Sequence, residues 1–212
     1  MADFRSIADA VKAGRRKNVV ALVNEALAEG VSAEQILNQG LVVGMNELGE
    51  MFKNNEVYVP EVLIAARAMK SGTEILKPLL AEDNVQSLGT VAIGTVQGDL
   101  HDIGKNLVGM MLEGAGFTVL DLGVDVSPEK FLAAVKESGA QIIGMSALLT
   151  TTMPNMKATI DALKDAGVRE NVKVMIGGAP ITQAFADEIG ADGYSSDAAS
   201  ASQLAKKLIG VN

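Results

Sequence analysis

The hydrophobic rhythm of the chain changes at Leu88, and that switch constrains the fold more than any other feature. Up to that point the apolar residues recur every three or four positions, which is the period of one helical face. Asp3 to Gly14 is a short amphipathic stretch closed by glycine, and Asn18 to Glu29 stops at Gly30, a C′ position. Ser32 followed by Gln35 spells a capping box, after which Leu37, Leu41, Met45, Leu48 and Phe52 share a face. The loop Lys53–Glu56 precedes Pro60, which sits where a helix can start, and Val62, Ala66, Met69, Thr73 and Leu76 carry the pattern to Pro78. Four helices with short connections predict an antiparallel bundle over 1–88, ending in a polar linker at Glu82–Ser87.

Beyond Leu88, short runs rich in Val and Ile alternate with helical patterns. The predicted strands are Thr90–Val96, Thr118–Leu122, Gln141–Ala147, Lys173–Ile176 and Asp192–Tyr194. Helices are predicted at Gly104–Gly116, Pro128–Ser138, Pro154–Ala166, Ile181–Ile189 and Ala198–Ile209. This alternation implies right-handed crossovers and a buried parallel sheet, so 89–212 reads as a Rossmann-like or flavodoxin-like five-stranded α/β domain. In such sheets ligands sit beyond the carboxyl ends of the strands, which makes the residues just after each strand the ones to inspect.

Composition narrows the chemistry at that edge. There is no cysteine, which excludes disulfides, thiolate metal sites and a cysteine nucleophile, and there is one histidine. The formal charge is −8, with 9 basic and 12 acidic side chains up to Leu88 and 9 and 14 beyond it. Neither half carries a basic stripe, so nucleic acid and an anionic membrane are not expected partners. Met1-Ala2-Asp3-Phe4-Arg5 contains no apolar targeting run, and the expected location is cytoplasmic.

After the first strand comes Gln97-Gly98-Asp99-Leu100-His101-Asp102-Ile103-Gly104-Lys105-Asn106, with the lone histidine flanked by carboxylates and by glycines that permit close backbone approach. A metal-bound imidazole usually donates its second N–H to a carboxylate, a part Asp99 fits. One strong nitrogen ligand suits a metal whose other positions a macrocycle fills. The third strand ends in Ser146-Ala147-Leu148-Leu149-Thr150-Thr151-Thr152, more hydroxyls than one helix cap needs, and the fourth ends in Gly177-Gly178, a floor without side chains.

Asp99-x-His101-x-x-Gly104, then Ser146-x-Leu148, then Gly177-Gly178, resemble the signature of domains that bind cobalamin base-off with histidine under the cobalt. The wider text Gly98–Asn106 and Asp121-Leu122-Gly123-Val124 is similar to the methyltransferase branch, as in the cobalamin module of methionine synthase, and Tyr58-Val59-Pro60-Glu61 resembles the helical cap of that branch. The likeness covers nearly the whole chain and is greatest to the stand-alone corrinoid proteins of three-part methyltransferase systems in methanogens and acetogens. It implies a corrinoid cofactor (methylcobalamin or hydroxocobalamin) and His101 as lower cobalt ligand, with Asp99 on its other nitrogen and Thr152 third in a proton relay. Gly98, Asp102, Ile103 and Gly104 would border the cofactor. Ser146, Leu148, Thr150, Gly177, Gly178 and Tyr194 would line the channel for its nucleotide tail.

The resemblance also implies a methyl carrier rather than a complete enzyme, served by three partners. These are a substrate-specific methyltransferase, a second methyltransferase acting on coenzyme M or tetrahydrofolate, and an external reductive activase. Phe52, Val57, Tyr58 and Met69 are candidate contacts of the cap with the upper corrin face. An adenosylcobalamin mutase subunit and a cobalamin sensor are the rivals within the resemblance. A flavodoxin-like module or phosphoreceiver is the rival outside it.

Overall fold

The computed structural model describes residues 3–82 and 87–211, and these form two compact units. Most of the expected linker therefore lies outside the described residues.

The first unit is helical: α1 (Phe4–Lys12), α2 (Arg16–Ala28), α3 (Ala33–Gln35), α4 (Val42–Lys53) and α5 (Val59–Glu82). Asp3 caps α1 by accepting from the Ser6 amide, and Ser32 caps α3 by accepting from the Gln35 amide. Between α3 and α4 the chain does not break but widens into a π-helical stretch, Ile36–Leu41, so one rod runs from Ala33 to Lys53. With that rod counted once, the unit is the expected four-helix bundle. The core is made by Ile7, Val11, Val19, Val23, Ile36, Leu41, Met45, Leu48, Val62 and Leu76. Gly40 and Gly44 sit where α1 comes close: a side-chain carbon on Gly44 would lie 2.5 Å from the Ala8 carbonyl oxygen. Pro78 does not end α5, which continues to Glu82. Of the four candidate cap contacts, Met69 is buried, Phe52 and Val57 are half-buried, and Tyr58 is exposed.

The second unit is a five-stranded, all-parallel sheet with the order β2-β1-β3-β4-β5, where β1 is Thr90–Thr95, β2 Thr118–Asp121, β3 Ile142–Ser146, β4 Lys173–Gly177 and β5 Gly193–Tyr194. The connecting helices are α6 (Ile103–Gly114), α7 (Pro128–Ser138), α8 (Pro154–Asp165) and α9 (Gln183–Ile189), with α10 (Ala198–Leu208) following β5. Helix α9 starts two residues later than its periodicity predicts, because Thr182 acts as its cap and accepts from the Phe185 amide, whereas α10 starts at Ala198 as expected, capped by Asp197, which accepts from the Ser200 amide. The central strands are buried along nearly their whole length and the edge strand β2 is not, as expected for a sheet covered on both faces. Phe131, Ile143, Met156, Ile160, Leu163, Val174 and Ile176 belong to one buried core cluster of this unit. Gly94 leaves room for Phe131, whose ring would stand 2.9 Å from any side-chain carbon there.

In this order the chain reverses direction between β1 and β3. Such a switch point, beyond the carboxyl ends of β1 and β3, is where doubly wound sheets take ligands.

Candidate functional site

Asp99 lies in the loop after β1 and is buried. Both of its oxygens are engaged. Oδ1 accepts from the His101 amide at 3.1 Å and meets His101 Nδ1 at 2.7 Å. Oδ2 accepts from the amides of Leu148 at 2.8 Å and Leu149 at 3.2 Å, and from Thr152 Oγ1 at 2.9 Å. Burial alone would push this carboxyl up. The Leu148 amide, the His101 ring and amide and the Thr152 hydroxyl overcome it and hold Asp99 well below the usual carboxylate range.

An ionised carboxylate only accepts, so the 2.7 Å contact fixes the imidazole with its proton on Nδ1. In the neutral ring that places the lone pair on Nε2, on a side chain that is 52% exposed. Asp99 thus ties the loop after β1 to the loop after β3 across the switch point, and its hydrogen bond leaves the second ring nitrogen of His101 able to take a ligand.

The surroundings are apolar and open. Leu100 is 73% exposed and Ile103 77%, and Leu148 and Leu149 are exposed beside the same carboxylate. Gly98 has φ +81° and donates to Asp125 Oδ1 at 2.7 Å, while Gly104 has open space around it. Gly178 has φ +130°, and a side-chain carbon there would run into the Ala147 carbonyl; at Gly177 it would approach the Ser195 carbonyl to 3.0 Å. Asp102 is exposed and accepts from Asn106 Nδ2 at 3.1 Å within the first turn of α6.

The remaining predicted residues are less tightly joined. Ser146 ends β3 half-buried, and its carbonyl accepts from the Val96 amide. Thr150 is exposed, and Tyr194 is half-buried at the end of β5. The Thr152 hydroxyl also lies 2.9 Å from the Leu149 carbonyl, so its one proton has two acceptors.

Three residues that the sequence reading passed over join this site. Thr95 is buried and donates to the His101 carbonyl at 2.8 Å. Asp125, after β2, accepts from the Gly98 amide and donates its own amide to the Asp99 carbonyl at 3.0 Å. Buried Lys105 donates to both oxygens of Asp121 at 2.6 Å. Asp125 follows β2, and the rule that ligands gather at strand ends points there as it does to β1, β3 and β4.

Comparison with known proteins now adds to this geometry. Residues 89–202 match the B12 binding domain family, and residues 4–77 match a second B12 binding domain family. The chain belongs to the B12-binding corrinoid proteins. It is 47% identical to dimethylamine corrinoid protein 1 of Methanosarcina acetivorans over 97% of both chains. It is also 47% identical to the trimethylamine corrinoid protein of Methanosarcina barkeri, over 90% of this chain and 88% of that one. Among solved structures, the methanol:cobalamin methyltransferase complex of Methanosarcina barkeri superposes with a TM-score of 0.86 at 31% identity, covering 99% of this chain and 80% of that one. These relatives lie in the methyltransferase-cognate branch that the motifs resemble, and the family's cofactor is cobalamin.

The residues present fit that cofactor. Among the described residues no three His, Asp or Glu side chains cluster to hold a bare ion. His101 therefore offers a single nitrogen, which suits a metal already ringed by a macrocycle. The exposed apolar side chains around it match the hydrophobic underside of a corrin. Gly178 admits no side chain because the Ala147 backbone lies against it, and this lets the turn after β4 pack closely on the end of β3.

Proposed function

We propose that this corrinoid protein carries a methyl group on cobalt between two methyltransferases, with cobalamin held base-off and His101 Nε2 as the lower ligand. Bound cobalamin supplies a cobalt centre that accepts and releases a methyl group. The protein's part is to present and tune the nitrogen beneath it. Asp99 keeps Nδ1 protonated and makes the imidazole a stronger donor, and the two loop amides and Thr152 keep Asp99 ionised. Ser146, Leu148, Thr150, Gly177, Gly178 and Tyr194 border the path of the displaced nucleotide tail, with Gly98, Asp102, Ile103 and Gly104 around the histidine.

The donor in this reading is a methylated amine. The relatives named for dimethylamine and trimethylamine support it, because the first of them matches along 97% of this chain. The acceptor is coenzyme M, or tetrahydrofolate, reached through the second methyltransferase, and an external activase restores the reduced cofactor. The observation that carries the proposal is the 2.7 Å hydrogen bond that engages Nδ1 of the protein's one histidine and leaves Nε2 for a ligand on a half-exposed ring.

The test uses that singularity. Protein grown on ¹⁵N-histidine is loaded with hydroxocobalamin and reduced to cobalt(II), and the axial nitrogen splitting is read by electron paramagnetic resonance. A change from three lines to two is expected, with loss of the splitting in His101→Ala. A three-line pattern that ignores the label would mean that the cofactor's own base is the ligand, and the proposal fails.

A further inference from the structure

The Asp99 bonds hold the histidine loop to β3, and a second set of contacts holds it from the opposite side. The geometry points to Asp125 as a positioning residue for His101. This rests on the lower-ligand reading above and names a part that nothing in the ligand motif contains.

Asp125 stands at φ +52°, in the left-handed region that residues with a side chain seldom occupy and that Asp and Asn tolerate best. There it grips the loop at two successive residues. Its Oδ1 accepts from the Gly98 amide at 2.7 Å, and its amide donates to the Asp99 carbonyl at 3.0 Å.

The turn that carries it is itself anchored. Val126 pairs with Val96 in a parallel bridge, and Thr95 donates its amide to the Gly123 carbonyl. Asp121 accepts from the Gly123 amide at 2.9 Å while holding buried Lys105 from the start of α6. The loop from Val96 to Asp102 is therefore bracketed: the loop after β3 holds the carboxylate that orients the imidazole, and the turn after β2 holds the backbone that sets how far the imidazole reaches. A half-exposed ring with one side-chain partner depends on that backbone for the place of Nε2.

Three variants separate the side-chain grip from the backbone requirement. Asp125→Asn keeps an acceptor oxygen and tolerates the left-handed backbone. Asp125→Gly keeps only the backbone freedom, and Asp125→Ala keeps neither. The first readout is amide hydrogen exchange at Gly98 in protein without cofactor. The second is the fraction of cobalt(II) cobalamin that shows the ¹⁵N-histidine splitting, with His101→Ala as the zero.

Asn is expected to match the wild type in both. Gly and Ala are expected to speed Gly98 exchange by about tenfold, the size of one hydrogen bond, and to lower the ratio of ligated to unligated histidine by a similar factor. If Asp125→Gly exchanges and ligates as wild type does, the inference is overturned. Faster exchange with unchanged ligation also overturns it, since Asp125 would then only stiffen a turn. Altered ligation with unchanged exchange removes the grip as its cause. Failure of the lower-ligand reading itself shows separately, as a splitting in wild type that ignores the label.

Discussion

At the scale of single residues, Asp99 carries the most consequence, because five hydrogen bonds converge on it in a buried place. In Asp99→Asn one oxygen becomes an NH₂ that must face either the His101 donors or the Leu148, Leu149 and Thr152 donors. At least one buried donor loses its partner, at a cost of about 1–3 kcal/mol. Urea unfolding of the cofactor-free variant at pH 7 checks this. The sign with pH follows from a depressed carboxyl: the Asp99 contribution is fully present above the ordinary carboxylate range and fades as pH falls through it toward the lower folded value. The gap between wild type and Asp99→Asn is expected to narrow as the pH is taken below about 4. An equal gap at pH 7 and pH 3 would contradict the assignment of Asp99 as the ionised partner. His101 and Asp99 were legible in the sequence because they lie beside each other after the first strand. Asp125 and Thr95 were not, because their contacts with the loop depend on how β2 ends against β1, a register no local pattern prints.

At the scale of elements, the helical half shows what periodicity reads and what it misses. Apolar spacing from Leu37 to Phe52 marked one helix, and the rod is there, but the π-helical turns at Ile36–Leu41 shift which residues face inward. Leu37 and Phe52 are half-buried, while Ile36, Gly40 and Gly44 are buried. An added residue per turn cannot be seen by counting threes and fours. The glycines read as gaps in the pattern, yet they are where α1 approaches. Alanine normally favours a helix over glycine by about 1 kcal/mol, and Gly44→Ala is expected to reverse that sign. Its methyl would press on the Ala8 backbone at 2.5–2.9 Å, and overpacking of this kind costs about 1–3 kcal/mol. Gly109 in α6 is the control: a methyl there would sit 3.8 Å from Val119, an ordinary contact, so Gly109→Ala is expected to be neutral or stabilising. Urea midpoints of the two variants moving in the same direction would show that helix propensity, not close packing, governs Gly44.

At the scale of the molecule, the site exists only once the sheet is assembled. Asp99 and the Leu148 amide are 49 residues apart in the chain and meet because β1 and β3 are neighbours in the order β2-β1-β3-β4-β5. An unfolded chain has one histidine and no switch point, so cobalamin binds the native state alone, and its binding energy adds to stability. Free cobalamin at a hundred times its dissociation constant adds about 2.7 kcal/mol, which for a chain of this size is a rise of roughly 5–10 °C in Tm. Each further tenfold in ligand adds about 1.4 kcal/mol more. The Tm of the sheet-bearing unit, followed by calorimetry over a series of hydroxocobalamin concentrations, is expected to climb with the logarithm of concentration. In the proposed binding mode His101→Ala removes the metal contact but leaves the exposed apolar side chains around it. Its curve is therefore expected to keep a positive slope but to begin at higher cobalamin, displaced by the lost affinity. A wild-type Tm indifferent to cobalamin would mean that the switch point between β1 and β3 is not where the cofactor sits. A His101→Ala curve that overlays wild type would mean that the bond to cobalt contributes nothing to holding it.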